Sequence, residues 1–170
     1  VESARRVVGA RYAALGVLEP GGDGLARFLW SGIDDLTAMN IGRLPGGGGL
    51  LGRLITDPQP LRVEHIGEHP SSGGFPAGHP PMHTFLGVPV RLGEEVYGNL
   101  YLTDREGGAF TETDERIALV LAAQAAAAIS NARTAAEERE RITESAALAA
   151  AREREAAAAE GHRRAIRAQE

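Results

Sequence analysis

Apolar and polar residues alternate, or form short apolar runs, along five segments of the chain, and both patterns are typical of β-strands. These segments cover residues 11–19, 25–32, 61–65, 84–92 and 95–104. The turn sequence "PGGDG" separates the first two, and "GEE" lies between the last two. We therefore expect two β-hairpins, each with antiparallel strands.

Helical patterns surround these strands. Residues 1–8 continue a helix, Asp34 or Asp35 can cap a short helix that Gly42 ends, and another follows a run of four glycines. A long helix is predicted from Thr111, because Asp114 three residues later completes a capping pattern. Its apolar residues recur at helical spacing and are Ile117, Leu121, Ala125, Ala128, Ile129 and Ala132.

The order of these elements predicts an α+β fold, with an antiparallel sheet, helices on one face and pocket-forming loops on the other. On the last strand, the alternation predicts that one set of side chains faces the pocket: Tyr97, Asn99, Tyr101 and Thr103. The intervening aliphatic residues should then pack on the helices. We expect a sensor domain over residues 1–133 and a helical linker over residues 134–170.

The linker is rich in alanine, glutamate and arginine and has high helix propensity. Four residues lie seven apart, the heptad stripe Ala135, Ile142, Ala149 and Ala156. Two interpretations stay open, a solvated single helix and a two-stranded signalling coiled coil. The chain begins at Val1 in one predicted helix and ends at Glu170 in another, which favours a piece of a longer protein whose helices continue to an effector.

Composition removes several classes of function. The chain has no cysteine, which excludes disulfides, thiolate metal sites, iron–sulfur clusters and cysteine nucleophiles. The net charge is −5 and no basic cluster is present, so we expect no nucleic-acid partner. Uninterrupted apolar runs stay below the about 18 residues of a membrane span, and no signal-peptide pattern occurs, so we expect a cytoplasmic protein without membrane contact.

Several motifs together resemble the GAF domain family. They are "GARYAALGV", "FLGVPVR", "YGNLYLTD" and "FTETDERIALVLAAQAAAAISNAR", and the resemblance covers essentially the whole predicted sensor domain. Within that family the chain most resembles the haem-binding first GAF domain of actinobacterial sensor histidine kinases, the mycobacterial dormancy-type oxygen and redox sensors. The loop "GFPAGHPPM" carries this finer resemblance.

The resemblance implies a set of site residues. His79 of the "HPPM" loop matches the proximal haem ligand, and Tyr101, 22 residues later, matches a tyrosine on the distal side. Met82 and Phe85 are further cofactor-contacting candidates, with core packing as the alternative for Met82. The implied cofactor is haem b, held without covalent bonds, and the implied signal is a diatomic gas or a redox change. The implied partners are a downstream kinase region and a second copy joined through the terminal helices.

The residues themselves are compatible with this assignment. A haem iron needs a neutral imidazole in one orientation, and the prolines at positions 76, 80 and 81 restrict the loop that carries His79. His65, His69 and His83 lie near the same loop, but their spacing follows no compact zinc pattern. His83 departs from the family pattern, and we expect it to be exposed.

Other functions remain as alternatives. One is a haem-free GAF domain that dimerises, transmits a signal or binds another small molecule. A GAF-type methionine sulfoxide reductase needs catalytic cysteines, which this chain lacks. The cyclic-nucleotide motif of GAF domains contains a lysine, and this chain has none. We therefore expect a binding fragment without enzymatic activity.

Overall fold

The computed structural model describes residues 1–21, 24–41 and 48–167. Four helices and five strands follow one another in the order α1 (Glu2–Val8), β1 (Ala10–Leu18), β2 (Leu25–Ser31), α2 (Asp35–Ile41), α3 (Gly49–Thr56), β3 (Leu61–Val63), β4 (Phe85–Leu92), β5 (Glu95–Arg105) and α4 (Glu112–Arg167). A short 3₁₀ turn, Ile66–Glu68, follows β3. The predicted helix end at Gly42, half of the four-glycine run and part of the first hairpin turn lie outside the described residues.

The strands form one sheet in the order β2-β1-β5-β4-β3, and every neighbouring pair is antiparallel. Both predicted hairpins are confirmed, as β1 with β2 and β4 with β5. The long strand β5 lies at the centre of the sheet between β1 and β4. The α+β class with an antiparallel sheet is therefore confirmed.

One face of the sheet is covered by α1 and the first part of α4. Three alanines spaced four apart on α4 are fully buried there, Ala118, Ala122 and Ala126. The predicted face was centred one residue earlier, on Ile117, Leu121 and Ala125, and these residues are only partly buried. The shift has a steric reason. A row of alanines lets the helix lie close to the sheet, and the larger side chains pack at its two sides.

Strand β5 departs from simple alternation at Tyr97. The pairing register of β4 with β5 shifts, so that Arg91 pairs with Val96 and Val90 with Gly98. Tyr97 is therefore an extra residue in β5, a β-bulge, and its side chain lies in the helix-side core with Leu100. The prediction that Tyr97 faces the pocket was wrong, because a bulge reverses the alternation on its far side.

The second face carries α3 as well as loops. Leu50 and Leu54 of α3, together with Ile66, pack against Phe85 and Tyr101. Gly87 makes this approach possible, since a Cβ at that position would lie 2.2 Å from Leu54 Cδ1. The pocket face is therefore closed at its base by a short helix in addition to the predicted loops.

The predicted capping pattern of α4 is confirmed. The Asp114 carboxylate accepts hydrogen bonds from the Thr111 backbone N–H and hydroxyl, both at 2.7 Å, and the Asp114 N–H donates to Thr111 Oγ1 at 3.2 Å. These reciprocal bonds fix where the helix begins. The chain forms two compact units, Val1–Ile129 and Ser130–Glu170, and the boundary predicted between residues 133 and 134 stays a prediction.

Among the described residues, one helix is long and apolar enough by composition to cross a membrane, over Glu112–Ala159. Only 17% of the most apolar 18-residue stretch of this helix is buried. The observation is weak evidence for a span, because core helices of water-soluble domains pass the same test. The expected lack of membrane contact stays a prediction.

Candidate functional site

A cavity of about 510 Å³ lies on the second face of the sheet. Its volume is within the range of small-molecule sites in proteins, roughly 300–1,000 Å³. Strands β1, β2 and β5, helix α3 and the loop before β4 all contribute to its lining, with Tyr12, Phe28, Trp30, Leu50, His79, Met82, Phe85, Tyr101 and Thr103 among the residues. All four predicted site residues, His79, Met82, Phe85 and Tyr101, are in this one lining.

His79 is held by its own loop. Its ring stacks on Phe75 with the ring centroids 4.9 Å apart and the planes inclined by 18°. Its Nδ1 lies 2.8 Å from the carbonyl oxygen of Pro80, and its backbone N–H donates to the Pro76 carbonyl at 3.1 Å. Because a carbonyl can only accept, Nδ1 carries the proton in the neutral ring. The lone pair is then on Nε2, the arrangement that a metal-binding histidine needs.

Tyr101 is buried, with 4% of its surface exposed. Its ring lies between Phe28 and Phe85, with centroid distances of 6.4 and 6.2 Å. Burial raises the pKa of the Tyr101 hydroxyl to about 12, and the neighbouring Asn99 amide opposes this rise only in part. The phenol is therefore neutral at physiological pH and can donate a hydrogen bond.

Asn99 lies beneath this site with 1% of its surface exposed. Neither its amide nitrogen nor its amide oxygen has a hydrogen bond of ordinary geometry to the described residues. It is nevertheless close enough to lower the pKa of Tyr101. A buried amide without aligned partners is rare in proteins, and here it lies next to the Tyr101 hydroxyl.

Met82 and Phe85 have different surroundings. The Met82 sulfur accepts a hydrogen bond from the Thr103 hydroxyl at 3.2 Å, and its side chain is partly buried. Phe85 is 3% exposed and packs with Tyr101 and α3. Both therefore line the cavity and also belong to the core beneath it, and the predicted contact of Met82 with a cofactor stays a prediction.

His65, His69 and His83 lie apart from the cavity lining. His83 is exposed, as expected, and its Nδ1 is 3.6 Å from Asp104 Oδ1. The His69 Nδ1 accepts a hydrogen bond from the Ser71 N–H at 3.1 Å. Across residues 1–21, 24–41 and 48–167, no three histidine, aspartate or glutamate side chains are grouped closely enough to hold a metal ion. Among the described lining residues, His79 is the histidine that the cavity offers to a metal.

Strand β2 contributes two aromatic residues whose role the sequence interpretation missed. Phe28 and Trp30 both line the cavity, and Trp30 is 44% exposed at its edge. Their spacing of two on a strand was a usable signal, because alternate residues share a face. The pairing of β2 with β1, next to β5, brings these residues beside Tyr101.

The fold and the cavity together define a class: a small α+β domain with a partly open, mostly apolar pocket on one side of an antiparallel sheet. The family model described as "GAF domain" matches residues 1–130. The chain belongs to the GAF domain family.

Solved structures agree with this assignment. The chain is similar to the GAF domain of a phosphoenolpyruvate-protein phosphotransferase from Coxiella burnetii, at 26% identity over 81% of this chain and 82% of that one, with a TM-score of 0.66. It is also similar to the free methionine-R-sulfoxide reductase of Neisseria meningitidis, at 21% identity over 79% and 75%, with a TM-score of 0.60. A third is the GAF-B domain of DevS from Mycobacterium smegmatis, at 18% identity over 80% and 91%, with a TM-score of 0.56. The last two likenesses show the fold alone.

Proposed function

We propose that this chain is a haem-binding sensory module that regulates a downstream histidine kinase in response to a diatomic gas or a redox change. One observation carries the proposal. The hydrogen bond from His79 Nδ1–H to the Pro80 carbonyl leaves the lone pair of Nε2 available to bind a metal. His79 lies in the lining of a mostly apolar cavity. A haem iron requires a neutral imidazole presented in this way.

The chemistry of the lining fits haem. The cavity is mostly apolar and bordered by the aromatic rings of Phe28, Trp30 and Phe85, which suit a flat macrocycle. The chain has no cysteine, so the group would be haem b held without covalent bonds. Haem would supply an iron that binds a diatomic gas or changes its oxidation state. His79 would hold this iron, and the neutral Tyr101 hydroxyl would donate a hydrogen bond from the sheet.

The remaining parts of the proposal concern assembly. We propose a cytoplasmic homodimer joined through the terminal helices, with the signal leaving along α4. The second unit supports this role because Ile142, the large apolar residue of the predicted heptad stripe, is 59% exposed. A catalytic role like that of the sulfoxide reductases has no support, because that chemistry uses cysteine and the chain has none.

The test is haem titration of the parent chain and of His79→Ala, followed by absorption spectra of the ferric, ferrous and CO-bound forms. We expect a sharp Soret band in the parent and a broadened or absent band in His79→Ala. His83→Ala is the matched control, because this histidine lies four residues away in an exposed position and should leave the spectrum unchanged.

Two results would contradict the proposal. Free-haem spectra in the parent chain would leave a haem-free GAF module as the function. A parental spectrum in His79→Ala together with a lost band in His83→Ala would move the ligand to His83.

A further inference from the structure

The end of β5 is bonded to the end of the loop that carries His79. Asp104 Oδ1 accepts backbone hydrogen bonds from His83 at 2.6 Å and from Thr84 at 3.2 Å, and the Asp104 N–H donates to the Thr84 carbonyl at 3.1 Å. The Asp104 side chain is only 14% exposed. Its neighbour Thr103 contacts Met82 in the cavity. Asp104 therefore fixes the last residues of the ligand loop, defined here as residues 76–84, to the strand that carries Tyr101.

The backbone of Asp104 is strained. Its φ is 52°, and among the described residues no other non-glycine residue has a positive φ. Left-handed conformation is unfavourable for residues with a Cβ, and aspartate and asparagine tolerate it best. Such strain persists only where surrounding contacts determine the geometry, and it is concentrated at functional and switch positions. The three hydrogen bonds to the ligand loop are the contacts that hold Asp104 in this conformation.

The next residue connects the same point to α4. The Arg105 N–H donates to Thr84 Oγ1 at 3.2 Å, and its Nε lies 2.8 Å from Asp114 Oδ2. The Arg105 Nε–H has no aligned acceptor in the described part of the chain, so this contact is an ion pair and not a hydrogen bond. Asp114 in turn caps α4 through Thr111. A continuous set of polar contacts thus joins the ligand loop to the first turn of α4.

We propose that Asp104 is a positioning residue for the ligand loop and that, with Arg105, it couples the position of this loop to the first turn of α4. The inference deepens the proposed function and rests on it for the identity of the ligand. Asp104 touches no ligand in this role. It acts on the loop through His83 and Thr84, and on the helix through its neighbour Arg105.

The first test is amide hydrogen exchange of the full chain without haem. Asp104→Gly accepts the left-handed backbone but removes the carboxylate, whereas Asp104→Asn keeps both the backbone tolerance and an acceptor oxygen. We expect Asp104→Gly to raise exchange at His83 and Thr84 at least about tenfold, with a smaller rise at Glu115 in the first turn of α4. Asp104→Asn should stay within about threefold of the parent.

The coupling is tested by adding Arg105→Gln, which removes the ion pair with Asp114 but keeps the backbone bond to Thr84. In this background Asp104→Gly should still raise exchange at His83 and Thr84, but it should no longer change Glu115. An unchanged rate at His83 and Thr84 in Asp104→Gly would overturn the positioning role. The coupling would be overturned if Asp104→Gly raised the exchange rate of the Glu115 amide equally in the parent and in the Arg105→Gln background. It would also be overturned if Asp104→Gly raised the exchange rate equally at all amides, including those of the central strands.

The second test is haem titration of the same variants. Asp104→Asn should retain the parental Soret band, and Asp104→Gly should bind haem at least about tenfold more weakly or with a shifted band. If Asp104→Gly binds haem as the parent does, Asp104 does not position the ligand loop. If the parent itself binds no haem, the proposed function fails while the exchange results still decide the role of Asp104.

Discussion

Tyr101 is buried between two aromatic rings, those of Phe28 and Phe85, in the core beneath the cavity. Gly87 pairs directly with Tyr101 on β4, and a Cβ on Gly16 of β1 would lie 3.5 Å from the Tyr101 ring. The same Cβ would lie 2.9 Å from Leu25 on β2. A Cβ at Gly87 would meet Leu54 at 2.2 Å and Phe85 at 2.8 Å, and these two side chains belong to the same buried cluster as Tyr101. The local packing thus explains both the burial and the altered acidity of this phenol.

The acidity of Tyr101 gives a prediction that needs no ligand. A tyrosine in an unfolded chain has a pKa of about 10, and in the fold the pKa of Tyr101 is raised to about 12. Above about pH 10 the unfolded chain therefore binds fewer protons than the native one. The contribution of Tyr101 to the free energy of unfolding should be complete below this pH and decrease as the pH rises towards 12. Denaturant unfolding at a series of alkaline pH values measures it.

Tyr101→Phe is the control for this experiment. This variant should lose the part of the alkaline destabilisation that Tyr101 causes, and ultraviolet titration of the native protein should lose its latest phenolate transition. If Tyr101→Phe shows the same alkaline profile as the parent, burial does not govern the ionisation of this hydroxyl.

At the scale of elements, the first turn of α4 joins the sheet to the helix. Burial pushes the pKa of Asp114 upward, but hydrogen bonds from Thr111 and the charge of Arg105 outweigh it, so the pKa lies below its ordinary value. The carboxylate form is therefore favoured by the native state. Its contribution to stability is present above the ordinary aspartate pKa of about 3.9 and is lost as the pH falls through the lower native value.

Asp114→Ala should lower the free energy of unfolding by about 1 kcal/mol at pH 7, the usual effect of losing a helix cap. The difference from the parent should shrink as the pH falls below about 4, because the parent then loses the same carboxylate. Glu112→Ala is the matched control, since the Glu112 side chain is 77% exposed and its removal should change stability by less than about 0.5 kcal/mol. An equal loss in both variants would contradict the capping role.

These two elements also show what sequence patterns can predict. The capping pair of α4 was predictable because both residues are close in sequence and the bonds are local. The position of Tyr97 was not, because the bulge depends on how β5 pairs with β4, which is a non-local choice. His79 and Tyr101 were placed in one pocket through a family resemblance. The roles of Phe28 and Trp30 were missed, because they depend on the order of strands in the sheet.

At the scale of the whole molecule, α4 belongs to both compact units. Its first part supplies the alanines that pack on the sheet, and the side chains described in the second unit are mostly exposed. The second unit has high helix propensity, and helices in proteins gain most of their stability from packing an apolar face. The predicted heptad stripe is the candidate for such a face, with one large apolar residue, Ile142, among alanines, and in the proposed dimer it would pack on a second copy.

The proposed dimer can be tested with two matched substitutions. Ile142 lies on the heptad stripe and Leu148 lies off it, yet the two side chains are similarly exposed, at 59% and 54%. Light scattering of the parent should give twice the monomer mass of 17.9 kDa at high concentration. Ile142→Glu should raise the dimer dissociation constant at least about tenfold, because it places like charges at the seam of a parallel pair, while Leu148→Glu should not.

A monomer mass at all concentrations would exclude the dimer in the isolated chain. Equal effects of the two substitutions would show that the copies meet along another face of the helix, and the signal would then leave the domain by a contact different from the heptad stripe.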